Sequence, residues 1–413
     1  MRLSREEKEI WTLFEKVGFR FFFVYFSFYT FCLLGGGIFK PLVHWVAESV
    51  FNISYDFSEK GYGSGDTTYQ YVLLFIIFIS SFLGTGIWSI LDKRKSYNQL
   101  NYALILLLRF VLIVTMFIYG FIKIFHMQMV PPVYTQLLRN LGDMSPMGLA
   151  WTFMGYSKLY IIFAGASEVI AGILLISRRL QTIASIVVIA VMTNVFIMNM
   201  SFDIPVKIFS FHLLLMGVYL FLTNSKRFVR SSILGKPVLQ DLSYPIYDKE
   251  KQQIMRKIKA ALTALVLLLI VSMGVSRRAK FNEILNPKMK GAYEVIHFEK
   301  NGELQLPLIT DSTYWQYLLL EVDESASILK LDQSYEAYSL KIDTTYNKFK
   351  LTRRSDSLKS TLRFIQKKGN DTLILKGIHE NDTLYLKTIR RTEKDFNLTN
   401  REFRWVNEKP NVQ

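Results

Sequence analysis

Polar side chains inside otherwise apolar stretches are the residues of this sequence best suited to chemistry. Glu168 lies near the middle of one such stretch, and Arg109, Lys123, Asn194 and His212 lie in others. An ionisable group in hydrocarbon is costly, so it needs a partner, a cavity or an interface. A carboxylate and an imidazole can also accept and release protons. Together these residues predict a polar site within a membrane bundle.

Depth along each helix, at about 1.5 Å per residue, orders the candidates. We expect Glu168 at mid-membrane and Tyr119, Asn194 and His212 in the outer half. Arg109 is expected nearer the inner side, and Lys123, Asp203 and Lys207 at the outer edge. The polar residues therefore lean toward the outer leaflet.

Each candidate also has a purely structural interpretation. The lysines, Asp203 and Arg109 could extend to an interface, and Asn194 and His212 could be hydrogen-bond links between helices. Glu168 could pair with Arg109 or Lys123, or be a neutral acid. Because a mid-span carboxylate does not reach water easily, only Glu168 favours function over structure.

The elements that carry these residues are transmembrane helices. Runs of about 18 or more apolar residues indicate spans, and half of the 413 residues are hydrophobic. We predict about seven spans, at 18–39, 70–91, 102–125, 158–177, 180–202, 207–223 and 259–275.

The net charge of +16 supports this interpretation through its location. Residues 281–413 carry 21 basic and 19 acidic side chains, so nearly all of the excess lies in the apolar part. Its basic tracts flank alternate spans, which predicts a multi-pass membrane protein with a cytoplasmic N-terminus. Nucleic-acid binding is the weaker explanation.

Because Arg277, Arg278 and Lys280 follow the seventh span, the charge contrast there is weak, and the last domain could be cytoplasmic if that span failed to cross. We expect it to be periplasmic.

From about residue 285 the pattern alternates with period two. Short strands separated by turns predict an antiparallel sandwich or small barrel. The predicted strands are Ala292–Phe298, Trp315–Val322, Ser325–Leu331, Lys348–Leu351, Thr361–Ile365, Thr372–Leu375 and Leu384–Ile389. Turns are predicted at 301–302, 369–371 and 380–382.

A short amphipathic helix after Pro131-Pro132, with Tyr134 and Leu137 on its apolar side, is expected to lie along the outer membrane face. The Gly61–Thr68 stretch lacks the lysine of a phosphate-binding loop, and it is interpreted as a flexible outer loop. Cys32 is the one cysteine, so no disulfide forms within the chain.

Several of these residues form a pattern along the chain: Arg109, the Tyr119–Lys123 stretch (YGFIK), Glu168 within Ser167–Ile176 (SEVIAGILLI), and Arg178-Arg179. This pattern resembles the DoxX family of four-helix prokaryotic membrane proteins. The departure is Ala171-Gly172, where that family usually has two glycines. The resemblance covers about residues 100–223. The final Arg-x-Phe-x-Trp-x-Asn-Glu-x-Pro motif, from Arg401 to Pro410, resembles the tail of long members from Bacteroidetes.

The resemblance implies a bacterial inner membrane as the location and a class of activity. We predict an N-terminal amphipathic segment and two spans in residues 1–99, a DoxX-like core in 100–223, a basic cytoplasmic loop and seventh span in 224–280, and the extracytoplasmic β domain in 281–413. Its members are linked to quinone and to thiol redox chemistry, which implies a possible quinone cofactor. No haem, flavin or metal motif is recognised, so electrons would need a partner or the quinone itself.

These residues and the resemblance are compatible with three functions. The first is a quinone- or thiol-linked redox subunit with Glu168, His212 and Tyr119 as catalytic residues and Arg109, Lys123, Asn194, Asp203 and Lys207 around the ligand. The second is a non-catalytic anchor or assembly protein whose β domain binds a lipid, lipoprotein or protein partner. A transporter is least favoured, because repeated broken helices are not evident.

Overall fold

The computed structural model describes residues 11–54, 65–237, 249–287, 289–308, 311–366 and 371–401. The chain divides into two compact units. Met1–Ile124 and Phe163–Val271 form one, called the helical unit below; Phe125–Ile162 and Ser272–Gln413 form the other, called the barrel unit. The loop after the third predicted span therefore belongs with the β domain rather than with the helices.

Helices make up the described chain as far as residue 285. They are α1 (Leu13–Gly35), α2 (Lys40–Ser49), α3 (Thr68–Leu91), α4 (Asn98–Ile124), α5 (Tyr134–Leu137), α6 (Pro146–Tyr156), α7 (Lys158–Ile176), α8 (Gln181–Ser201), α9 (Lys207–Leu222), α10 (Ser225–Phe228) and α11 (Lys249–Leu285). A four-residue α12 (Asn397–Asn400) follows the strands.

Among the described residues, five helices are long and apolar enough to cross a membrane: α1, α3, α4, α7 and α8. The predicted sixth span is bent. Its first part, α9, has 16 residues, about 24 Å at 1.5 Å per residue, which is short for a hydrocarbon core of about 30 Å. The helical segment Ser225–Ile233 follows it after a 56° bend, and the pair has the geometry of either one broken span or a re-entrant loop. The seventh predicted span lies within α11, whose side chains are described only in part.

The helical unit has an apolar core and an apolar exterior. Phe26, Leu108, Val188 and Met216 are buried where the helices pack against one another. Outward side chains are also apolar, and Phe82 is 67% exposed. A helix that is apolar on all sides suits a hydrocarbon environment, so the chain has the helical membrane part that its sequence predicts.

Strands begin at residue 291. They are β1 (Gly291–Lys300), β2 (Glu303–Leu304), β3 (Trp315–Val322), β4 (Ser325–Lys330), β5 (Tyr335–Asp343), β6 (Lys348–Arg353), β7 (Lys359–Gln366), β8 (Thr372–His379) and β9 (Asp382–Arg391). All seven predicted strands are present, and β5 and the short β2 were missed. The turn at 380–382 is confirmed, whereas residues 369–370 of another predicted turn lie outside the described chain.

These strands form a closed antiparallel barrel. Each strand from β3 to β9 pairs with its neighbour in sequence, and β1 pairs with both β3 and β9, which closes eight strands into a ring. In β6, buried Phe349 and Leu351 alternate with exposed Lys348 and Lys350, as a sheet with one face inward requires. The predicted sandwich or barrel is therefore a barrel, filled by side chains such as Trp315.

The short helix α5 packs on the barrel wall. Tyr134 is 2% exposed and contacts Ala292 and Leu319. Thr135 donates two hydrogen bonds to the Glu321 carboxylate, from its backbone nitrogen at 3.0 Å and from its hydroxyl at 2.5 Å. Leu137 and Leu138 are partly buried in the same cluster, whereas Leu141 is 70% exposed. The expectation that this helix lies along the outer membrane face stays a prediction.

Candidate functional site

The site begins with a close crossing of α4 and α7. A Cβ atom on Gly120 would lie 2.8 Å from the carbonyl oxygen of Gly165, and one on Gly165 would lie 2.6 Å from the carbonyl oxygen of Gly120. Only residues without a side chain permit this approach. Lys123 and Glu168 each follow one of these glycines by three residues, so each lies one turn away on its own helix.

Lys123 and Glu168 form a buried ion pair. The Lys123 Nζ lies 2.5 Å from Glu168 Oε1, and the two side chains are 7% and 3% exposed. The structure therefore selects Lys123 as the partner of Glu168. The second carboxylate oxygen, Oε2, is buried and has no hydrogen-bond partner among the described residues. An unsatisfied buried acceptor costs about 1–3 kcal/mol, and more when it is charged.

Tyr119 completes this cluster. Its ring centroid lies 6.0 Å from Lys123 Nζ, within the range of a cation–π contact. The ring also lies 6.0 Å from that of Phe209 on α9. Glu168, Lys123 and Tyr119 are thus the predicted site residues that the fold brings together.

Arg109 is not the partner of Glu168. Its guanidinium donates to the carbonyl oxygens of Leu175 and Ile176, at distances of 2.5 to 3.0 Å. These carbonyls close α7, where the helix dipole is negative and the last acceptors lack partners within the helix. The buried arginine therefore caps α7 and joins it to α4.

His212 belongs to a second cluster that includes α1. Its Nδ1 lies 2.6 Å from the carbonyl oxygen of Ile208, and its Nε2 lies 2.7 Å from the Tyr25 hydroxyl. A carbonyl oxygen can only accept, so Nδ1 carries the hydrogen, and a neutral ring then accepts at Nε2 from Tyr25. The ring of Tyr29 stacks on His212 with centroids 3.9 Å apart. Both nitrogens of this 1%-exposed histidine are thus engaged.

Three further predicted ligand residues belong to neither of the two clusters described: Asn194, Asp203 and Lys207. Asn194 is exposed on α8, whereas Asn199, one turn later, is buried and donates to the Ser210 hydroxyl. Lys207 Nζ lies 2.8 Å from Asp203, whose side chain is 84% exposed. Asn194 and Asp203 have surface positions in the described chain, whereas the Lys207 side chain is 22% exposed and its Nζ also lies 3.7 Å from Asp66.

Asp66 and Arg20 were missed in the sequence. The carboxylate of Asp66 accepts from the backbone nitrogens of Lys207 and Ile208, at 2.7 and 3.0 Å, and so caps α9. It comes from the loop interpreted as flexible. Arg20, 4% exposed, donates to the Tyr97 hydroxyl and to Ser89. A basic residue three positions inside an apolar run was the available signal for Arg20.

In the parts of the chain that the structure describes, no three His, Cys, Asp or Glu side chains are grouped as metal ligands.

Comparison with known proteins gives one short match. No protein-family model matches the chain. A stretch of 81 residues, 20% of the chain, is 32% identical to the uncharacterized protein YwoB of Bacillus subtilis (strain 168) and covers 53% of it. The chain thus spans about half the length of the curated relative it matches. No solved structure matches. The resemblance to the DoxX family therefore stays a prediction, and function is argued from geometry.

Proposed function

We propose that this chain is a DoxX-like multi-pass protein of a bacterial inner membrane, in which the Lys123–Glu168 pair exchanges protons with a membrane quinone. The observation that carries the proposal is the buried Oε2 of Glu168, an acceptor without a donor. Buried polar atoms are almost always satisfied by protein, water or ligand. A donor from outside the described chain is therefore expected here.

The residues present suit a hydroxyl group. A quinol releases two protons and two electrons when it is oxidised, and it supplies such hydroxyls. Glu168 Oε2 would accept the hydroxyl hydrogen bond and then one of the two protons, while Lys123 holds Oε1 and keeps the carboxylate turned to the ligand. The second proton would leave with the electrons to the partner that oxidises the quinol. The Tyr119 ring lies 6.0 Å from the Nζ of Lys123 in the same cluster. No redox group is assigned to this chain, so electrons pass to a partner of the membrane or periplasm, through a quinone- or thiol-linked reaction.

A second candidate function is a non-catalytic anchor or assembly protein. The barrel wall favours it, because apolar side chains face outward on neighbouring strands. Ile365 pairs across strands with Ile374, and Ile389 lies on the next strand opposite Thr372. Ile365 is 52% exposed and Ile389 38%. An outward apolar patch suits a lipid, lipoprotein or protein partner, and Glu168 would then be a structural pair only.

Replacing Glu168 by glutamine separates these functions. Glutamine keeps the shape of the side chain but does not titrate. The variant leaves the buried Lys123 unpaired under either function, at a cost of about 3–5 kcal/mol, so quinone is measured per amount of folded protein. If Glu168 exchanges protons, folded Glu168→Gln should lose copurified quinone, measured by solvent extraction and chromatography. If the pair is structural only, the quinone content per folded protein should match that of the unaltered protein.

A matched pair of double variants sharpens the test. Adding Lys123→Gln removes the unpaired charge and should restore yield. Arg109→Gln is the control, because Arg109 donates to α7 carbonyls and not to Glu168, so it should restore nothing. Normal quinone content per folded protein in Glu168→Gln would overturn the proposal.

A further inference from the structure

A cavity lies beside the histidine cluster in the helical unit. It has a volume of about 140 Å³, and α1, α3 and α9 line it. The residues of its wall are Tyr29, Cys32, Leu33, Gln70, Leu73, Leu74, Ile77 and Ile208. Neither α1 nor α3 falls in the segment that resembles the DoxX family.

The size of the cavity limits its ligand. An enclosed apolar cavity of roughly 150 Å³ holds one benzene molecule, so this partly open one accepts a single six-membered ring within its walls. Small-molecule sites combine an apolar wall with a few polar groups that orient the ligand. Here five of the lining residues are leucine or isoleucine, and the polar groups are the Tyr29 hydroxyl, the Cys32 thiol and the Gln70 amide.

Charge and rigidity narrow the ligand class further. The described residues of the wall include no lysine, arginine or carboxylate, and the nearby Asp66 carboxylate is engaged by the backbone nitrogens of Lys207 and Ile208. A charged molecule would therefore have no counter-ion among the wall residues. The aromatic part of the wall is held in place, because the Tyr29 ring lies within 6° of parallel to His212. Both nitrogens of His212 are in turn fixed by Ile208 and Tyr25.

We propose that this cavity binds a flat, uncharged, single-ring molecule that carries a hydroxyl or carbonyl oxygen, the phenol class. The ring packs against Tyr29 and the aliphatic wall. Its oxygen bonds the amide of Gln70, which offers both a donor and an acceptor. The site stands on its own lining and does not depend on Glu168.

The test uses 4-fluorophenol and fluorine NMR on the full chain in lipid nanodiscs. Binding should appear as saturable broadening of the probe resonance. Cys32→Trp fills the cavity and should abolish the saturable part. Leu34→Trp places the same side chain on α1 at a position 86% exposed, and it should bind as the unaltered protein does.

A second variant guards against misfolding. Gln70→Leu keeps the volume but removes the amide, and should weaken binding about tenfold if one hydrogen bond of about 1.4 kcal/mol is lost. Equal broadening in Cys32→Trp and Leu34→Trp, or unchanged affinity in Gln70→Leu, would refute the site. Glu168→Gln should bind 4-fluorophenol normally, so failure of the quinone proposal is distinguished from failure of this one.

Discussion

His379 lies at the end of β8 within a group of charged residues of the barrel. Its Nε2 is 3.8 Å from Glu380, and its Nδ1 is buried without a hydrogen-bond partner in the described chain. The ring stands edge-on to Trp315, with centroids 4.9 Å apart. Burial lowers the pKa of His379 below its usual 6.5, although Glu380 and Glu336 partly oppose this. Arg353, which pairs with both acids, and Lys330 complete its surroundings.

This lowered pKa predicts a barrel that loses stability in mild acid. The unfolded chain takes up a proton on His379 near pH 6.5, whereas the folded barrel resists it until a lower pH. Stability is therefore fully present above pH 6.5 and falls between the unfolded and folded pKa values, by about 1.4 kcal/mol for each unit that separates them. Hydrogen exchange of barrel peptides in the full chain, corrected for intrinsic rates, should show lower protection at pH 5.5 than at pH 7.5.

The matched variants are His379→Gln and His297→Gln. The first removes the buried titrating group and should flatten the change in protection between the two pH values. The second removes a surface histidine, whose Nε2 lies 2.7 Å from Glu299, and should leave the change as it was. An unaltered pH response in His379→Gln would show that another group is responsible.

For single residues, the sequence predicts which side chains need a partner but not which partner each one has. Because burying a charge is costly, Glu168 is predicted to need a cation or a ligand, and Lys123 is one of the two cations proposed. Sequence could not choose between them, because the choice depends on the crossing of Gly120 and Gly165. His212 was grouped with Glu168, yet its hydrogen bonds lead to Tyr25 and Ile208. The packing of the bundle determines which helices are neighbours, and the depth of a residue along its own helix carries no information about that packing.

At the scale of elements, periodicity predicted the long helices and most of the strands. The strand β5 was not predicted, because only two of its residues, Tyr338 and Leu340, are buried. The helix α6 was not predicted either. Its N-cap residue, Ser145, accepts a hydrogen bond from the Gly148 nitrogen, but the run that follows is short and carries no charge. A segment of 11 residues has too few turns to show a clear helical period.

The α5 segment gives the prediction that belongs to this scale. Its attachment rests on Tyr134 in the barrel wall and on the two hydrogen bonds from Thr135 to Glu321. Glu321→Gln removes the charge from this acceptor and one of its two accepting oxygens, a loss of about 1–2 kcal/mol. We expect faster proteolysis within residues 125–162 while the barrel itself stays intact. Glu303→Gln, at an exposed position of β2, is the control and should change nothing. Equal cleavage rates in both variants would contradict this account of the attachment.

At the scale of the whole molecule, the attachment of α5 constrains how often the chain crosses the membrane. The 126–157 loop and the barrel belong to one compact unit, so both lie on the same side. Between them the chain passes through α7, α8, the bent pair beginning with α9, and α11. An even number of crossings is required. If the first three cross, α11 must cross as well, and its 37 residues, about 55 Å at 1.5 Å per residue, are long enough to do so.

The charges then select which side. Nine basic residues between Lys226 and Lys259 precede the hydrophobic part of α11, and such segments stay in the cytoplasm. This orientation predicts that the barrel is periplasmic even though Arg277, Arg278 and Lys280 follow the same helix. A reporter enzyme that works only in the periplasm should be active when fused after Gln413 or inserted after Arg139, and inactive when fused after Arg230. Activity after Arg139 without activity after Gln413 would mean that α11 does not cross and that α5 does not pack on the barrel in the membrane. Activity after Arg230 would reverse the whole orientation.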